Sequence, residues 1–206
     1  VDQVHLINTS IDERLPDPIA SKTNLWVVRE KDDAPAKREF CRNRKLSYRV
    51  ITDAEIEGFP IREPDLDTTD RRKVVVTGCY DWFHSGHLRF FEEASQFGDL
   101  YVVVGNDANV EQLKGEGHPM FPEEERRYIV HSMRYVKQAL ITSGMGWLDA
   151  APEIARIQPD IYLVNEDGDK PEKAAFCEEE GLEYVVLKRT PKEGLPRRSS
   201  TKLRGY

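Results

Sequence analysis

Three consecutive valines, Val74, Val75 and Val76, run into Thr77-Gly78, and a short loop then leads to an amphipathic stretch that opens at Ser85. An unbroken β-branched run of this length reads as a strand buried on both faces of a parallel sheet. From Ser85 onward, Leu88, Phe91, Ala94 and Ser95 fall on one face of a helix. Strand, glycine-containing loop and helix N-terminus in that order restrict this part of the chain to an α/β unit. They also make an anion site, because free backbone N–H groups and the positive helix end meet whatever enters the loop. His84 and His87 stand at this mouth, three residues apart, where both can face one ligand. Gly86 between them lets a phosphate come close to the backbone.

Gly78-Cys79-Tyr80-Asp81 followed by His84-Ser85-Gly86-His87 resembles the signature of the cytidylyltransferases, in the HxGH nucleotidyltransferase superfamily. The competing readings of the paired histidines are two surface side chains, or half of a zinc site. Zinc wants more ligands, and His5, His118, His131, Cys41, Cys79 and Cys177 show no ligand spacing. The resemblance covers residues 73 to 203. It implies that His84 and His87 align and neutralise phosphates, and that Lys114, before Gly115, is a phosphate-binding lysine. It places Arg126 as a nucleotide-contacting arginine and Lys188-Arg189-Thr190 at the opening of the last signature, whose end is Ser199-Ser200-Thr201. Asn165, Asp167 and Asp169 match the polar strand end that meets the acceptor. Thr77 to Asp81, Gly86, Gly105 and Asp107 complete the expected nucleotide site.

The same resemblance implies catalysis without a protein nucleophile. A substrate phosphate attacks the α-phosphorus of a nucleoside triphosphate, pyrophosphate leaves in line, and the enzyme supplies alignment and charge neutralisation. Mg²⁺ is expected to arrive on the triphosphate, with no metal site made by the protein. There are departures from the pattern. Five extra residues separate Arg189-Thr190 from Ser199, so either Arg189 or Arg198 could fill the arginine role. Lys137-Gln138 stands where the family usually carries acidic residues, and Tyr80 replaces the more usual phenylalanine before Asp81, as in the ethanolamine-phosphate branch.

Beyond this stretch, buried apolar runs alternate with helical patterns. Strands are expected at residues 100–104, 136–141, 161–164 and 184–187, with helices after Pro122, over 147–157 and from about Pro171. Lys114-Gly115 is expected in a glycine-rich loop. The fold class is therefore α/β, a doubly wound parallel sheet, with ligands at the carboxyl ends of the strands where the strand order reverses.

The first seventy residues carry an internal repeat. Residues 25–62 align without a gap on residues 161–198. Among the identities are Asp33 with Asp169, Pro35 with Pro171, Lys37 with Lys173, Phe40-Cys41 with Phe176-Cys177, Tyr48 with Tyr184, and the Gly-x-Pro-x-Arg at Gly58 and Gly194. Fourteen of thirty-eight positions are identical, where roughly two or three would come from average residue usage. Val1 to Ser10 corresponds more faintly to the stretch after Tyr135. Residues 1–70 thus read as a degenerate partial copy of the second half of a nucleotidyltransferase domain, and residues 71–206 as the catalytic domain. Glu63, Pro64 and Asp65 stand where the second copy has Ser199, Ser200 and Thr201, so the first copy is expected to be structural. A homodimer, or a pseudo-dimer through the repeat, is expected. The chain opens without methionine and reads as a fragment of a longer polypeptide.

A net charge of −7 over 206 residues disfavours nucleic acid as a main partner. Three scattered cysteines point to a reducing, cytoplasmic setting, and no apolar run approaches a membrane span. The leading expectation is transfer of a cytidylyl group from CTP to a small phosphorylated alcohol or phosphonate. The alternatives are an ATP-using adenylyltransferase acting on a sugar phosphate or flavin nucleotide, and a catalytically silent nucleotide-binding scaffold. A Walker-type kinase is excluded, because Gly-x-x-x-x-Gly-Lys-Ser/Thr does not occur.

Overall fold

The computed structural model describes residue 4, residues 14–58 and residues 70–203. Its contacts divide the chain into two compact units, Val1–Phe59 and Pro60–Tyr206. That division lies ahead of the boundary expected after residue 70. Residues 59–69 lie outside the described residues, as do Val1 to Ser10 apart from Val4.

The first unit runs α1 (Asp17–Ala20), β1 (Leu25–Arg29), α2 (Pro35–Arg44), β2 (Ser47–Ile51). Pro35 lies in the first turn of α2, where its missing N–H forfeits no helical bond. The two strands pair in parallel.

The second unit runs β3 (Lys73–Gly78), α3 (Ser85–Ala94), β4 (Asp99–Val104), α4 (Asp107–Lys114), α5 (Glu123–His131), β5 (Gln138–Ile141), α6 (Ala151–Ile157), β6 (Ile161–Asn165), α7 (Pro171–Glu180), β7 (Glu183–Leu187), α8 (Ser200–Leu203). Its five strands are all parallel in the order β5-β4-β3-β6-β7. Successive connections step outward from β3 to β5 and then return across the sheet to β6. The order therefore reverses between β3 and β6, which is where an open α/β sheet has its crevice. Val74 and Val76 point to the layer of Phe90, Phe91, Ala94 and Val130, while Val75 points to the layer of Ile154, Ile157 and Cys177. Both sheet faces are covered, which is why β3 needs three apolar residues in a row rather than alternation.

Three local expectations change. The buried face of α3 is Phe90, Phe91 and Ala94, with Leu88 36% exposed. Ser95 is the C-cap of that helix. Lys114 is the last residue of α4 rather than part of a loop. The Asn106 side chain starts that helix by accepting the Asn109 N–H at 2.8 Å. Only Val110 gives α4 a buried apolar anchor, so its helical periodicity is thin in the sequence. The stretch 147–157 is a 3₁₀ turn over Gly146–Leu148 followed by α6. The Gly144 N–H donates to the Asp149 carbonyl at 2.9 Å and closes a loop between the two.

The aligned segments share detailed geometry. The β1–β2 pairing Leu25↔Ser47 through Arg29↔Ile51 recurs, position for position in the alignment, as Ile161↔Glu183 through Asn165↔Leu187. Tyr48 donates to Asp33 at 3.0 Å, and Tyr184 to Asp169 at 2.8 Å. Cys41 and Cys177 are each 1% exposed. Gly58 and Gly194 both have φ of +77°. Among the described residues no helix is long and apolar enough to cross a membrane.

Candidate active site

At the carboxyl ends of β3 and β6 lies a cleft of about 360 Å³. Its floor is Thr77 to Asp81, its α3 wall includes His87 and Phe90, and Lys114 reaches in from the end of α4. Asn165, Asp167 and Gly168 enter from the end of β6, and Arg189, Ser199 and Ser200 from the segment after β7. Residues spread over more than a hundred positions thus converge on the switch point.

The HxGH segment is shaped by its own small geometry. His84 is the N-cap of α3, and its Nδ1 accepts the Gly86 N–H at 3.0 Å. That bond places the ring proton on Nε2, a buried atom with no hydrogen-bond partner among the described residues. A β-carbon on Gly86 would come within 2.9 Å of the His84 ring, so the position requires glycine. The His84 and His87 rings stack, with centroids 4.0 Å apart and planes at 15°. Burial pushes the His87 pKa down to about 3, helped by the charges of His84, Arg189 and Lys114. His84 is lowered by burial first and by Arg189 and Arg198 second. Both imidazoles are therefore held neutral at pH 7, beside the positive charges of Arg189, Arg198 and Lys114.

Tyr80 adopts a left-handed backbone with φ of +54°, a costly conformation for a bulky residue. The turn stands its ring on edge against His87 at 5.5 Å and tilts it on Phe91 at 5.2 Å. The same ring would lie 2.8 Å from a β-carbon at Gly78, which accounts for glycine there. Asp81 is 4% exposed, and its Oδ1 accepts the N–H groups of Met120 (2.9 Å) and Phe121 (3.0 Å). It pins the loop that follows Lys114.

Arg126, expected at the nucleotide, is 0% exposed and does not line the cleft. Its guanidinium donates to the carbonyls of Phe121 (2.8 Å) and Cys79 (2.6 Å) and to Asp107 Oδ1 (2.6 Å). It ties the β3 loop to the start of α4. Asp107 is therefore occupied by Arg126, and its own N–H donates to Glu123 at 2.7 Å. Gly105 donates its N–H to the Gly78 carbonyl at 2.9 Å, joining the ends of β3 and β4 behind the cleft.

Of the two arginines left open by the sequence, Arg189 is the one in the cleft. It pairs with Asp167 at 2.7 Å and donates to the Arg198 carbonyl at 2.8 Å. Arg198 lines a smaller recess with Gly86 and Arg197. Ser199 Oγ accepts the Lys202 N–H at 3.3 Å at the start of the four-residue α8, which contains Thr201. Ser200 Oγ donates to the Trp82 carbonyl at 3.4 Å. Asp169 does not line the cleft and receives the Tyr184 hydroxyl instead. Lys173, which no motif marked, does line it. The only sign of it in the sequence was its identity with Lys37 in the repeat.

Residues 75–204 match the family model described as cytidylyltransferase-like. The FAD synthase of Archaeoglobus profundus is 35% identical over 136 residues, which are 64% of this chain and 83% of that protein. The FAD synthase of Ferroglobus placidus is 38% identical over 97 residues, covering 47% of this chain and 60% of the relative. The bifunctional protein HldE of Nitratiruptor sp. is 31% identical over 115 residues, 55% of this chain and 24% of its own length. The chain thus spans less than two thirds of some of the curated relatives it matches. The lipopolysaccharide core biosynthesis protein of Thermoplasma volcanium shares the fold, with a TM-score of 0.50 at 21% identity over 60% of this chain and 99% of that one.

Proposed function

The chain belongs to the cytidylyltransferase-like family of nucleotidyltransferases, and from that premise we propose that it moves an adenylyl group from ATP to a phosphorylated acceptor. FMN or a sugar phosphate is the acceptor class, by analogy with the FAD synthases and HldE proteins it resembles. A phosphate oxygen of the acceptor attacks the α-phosphorus. The new P–O bond forms as the bond to pyrophosphate breaks, and no protein side chain need take a proton.

The observation that carries this reading is the neutral, stacked histidine pair at the helix mouth, of which His87 lines the cleft together with Lys114 and Arg189. His84 Nε2–H is oriented by Gly86 as a donor to oxygens on the α-phosphate, where charge grows in the transition state. Lys114 and Arg189 serve the departing pyrophosphate. Among the described residues no three His, Cys, Asp or Glu side chains are grouped to hold a metal ion. The cationic cleft fits a magnesium–triphosphate complex in which phosphate oxygens hold the ion, and magnesium supplies further charge neutralisation when bound.

Cytidylyl transfer is the second reading, favoured by Gly78-Cys79-Tyr80-Asp81. Calorimetric titration with ATP and CTP, each with Mg²⁺, followed by pyrophosphate release with FMN and with a sugar phosphate, separates the two. Tighter ATP binding and ATP-dependent turnover support the proposal, and a preference for CTP overturns it. Residues 1–70 are, in the same proposal, a degenerate partial copy without the HxGH half, retained for a structural role.

A further inference from the structure

Lys173 presents a buried charge that the reaction outlined above does not use. It projects from the first turn of α7 to the end of β3, is 8% exposed, and lines the cleft with His87 of the HxGH segment. An ammonium group has three donors. Here one of them reaches Thr77 Oγ1 at 3.3 Å, a hydroxyl already shared with the Tyr162 hydroxyl at 2.9 Å. Among the described residues no carboxylate forms an ion pair with Lys173; Asp149 attracts it from farther away and Lys170 repels it. Burial lowers its pKa from the ordinary lysine value. A cation taken out of water without a counter-ion is costly unless something else supplies the charge.

The repeat separates what is architectural about this lysine from what is not. Lys37, its counterpart, also lies over an aromatic ring, 6.0 Å from Trp26, as Lys173 lies 5.6 Å from Tyr162. Stacking on the strand aromatic is therefore common to both copies. The head groups differ. Lys37 turns back to the Asp32 carbonyl at 2.6 Å, whereas Lys173 extends to the end of β3 and into the cleft.

We propose that Lys173, with the Thr77 hydroxyl beside it, binds the phosphate of the acceptor. The inference rests on the nucleotidyltransferase reading and deepens it. Lys173 comes from the α6–α7 layer and the HxGH pair from the α3 layer, so the acceptor phosphate and the triphosphate approach the switch point from opposite sides of the sheet. The site then selects phosphate monoesters over the corresponding free alcohols, because only the ester supplies the missing counter-charge.

The test uses the full chain and the variants Lys173→Met, Lys173→Gln and Lys173→Arg. With FMN as acceptor, Lys173→Met should raise the KM for FMN by about ten- to a hundredfold, the loss of one charge-assisted hydrogen bond. The KM for ATP should stay within about twofold, and Lys173→Arg should recover part of the loss. A lower melting temperature with both KM values unchanged overturns the proposal. A second titration separates this inference from the choice of acceptor: inorganic phosphate is added to enzyme saturated with a non-hydrolysable ATP analogue. If the wild type turns over neither FMN nor a sugar phosphate, the acceptor reading above fails and this titration still decides Lys173. At least tenfold weaker phosphate binding in Lys173→Met supports the proposal. Equal binding in both, or none in the wild type, overturns it. Should Lys173→Met fail to fold, Lys173→Gln takes its place in both measurements.

Discussion

Replacing Arg126 with methionine separates a structural arginine from a nucleotide-binding one. The wild-type guanidinium is wholly buried and satisfies two carbonyls and one carboxylate. Methionine fills much of the volume but leaves the carbonyls of Cys79 and Phe121 without their donor and Asp107 without its cation. Removing one partner of a buried ion pair costs about 3–5 kcal/mol. Asp107 is 43% exposed at its side chain and can turn to water, so the lower end, about 3 kcal/mol, is expected. For a unit of this size that lowers the melting temperature by about 6–12 °C. The Cys79 carbonyl belongs to the loop before the histidines and Asp107 opens the helix that ends at Lys114. Turnover should therefore fall more steeply than stability, with both kcat and KM affected. Arg126→Lys should recover little, since a single ammonium cannot reach three acceptors held in a fork. The measurements are thermal denaturation and steady-state kinetics on the same preparations. A raised KM for the nucleotide at an unchanged melting temperature would refute the strut and return Arg126 to the nucleotide.

His84→Ala should lower kcat by about 10²–10³-fold, the usual cost of one transition-state donor. Loss of its cap bond to Gly86 should destabilise by only about 1 kcal/mol; turnover at the wild-type rate would sink the proposed role. His87 is held neutral in the folded state and ionises near pH 6.5 when unfolded, so the unfolded chain takes up the proton first as pH falls. Stability should be unaffected above about pH 6.5 and should drop below it, by about 1–2 kcal/mol at pH 4.5 after allowance for the partial exposure of the residue. His87→Asn should flatten that part of a melting-temperature profile, and an unchanged slope would count against a buried neutral His87. Deleting residues 1–70 should lower solubility or alter the oligomeric state while the HxGH site still binds nucleotide, as read by light scattering and calorimetry. A deletion protein identical to the full chain in both would make the repeat dispensable.

Local pattern alone carried the sequence reading a long way. The strand, the glycine loop and the helix mouth at residues 73–89 follow from short-range rules. The helix Asp107–Lys114 was missed because a single buried valine and a buried asparagine leave almost no amphipathic signal. Asp81 and Arg126, by motif, and Asp107, at the end of a strand, are all expected at the nucleotide. Their side chains brace the loops around the cleft, Asp81 while also lining its floor, and no residue pattern distinguishes a brace from a ligand contact.

What this sequence determined by itself is the α/β class, the helix mouth that carries the two histidines, the identity between the repeated segments and the membership in a nucleotidyltransferase family. Each depends on residues close together in the chain or on their order along it, and backbone geometry and periodicity act over that range. Only the tertiary structure decided which of Arg189 and Arg198 enters the cleft, which nitrogen of His84 carries the proton, and that Lys173 ends beside Thr77. Those outcomes depend on how β3, β6 and the segment after β7 come together at the switch point. Contacts between residues nearly a hundred positions apart, such as Thr77 with Lys173, are set by packing across the whole sheet and leave no mark on either neighbourhood of the sequence.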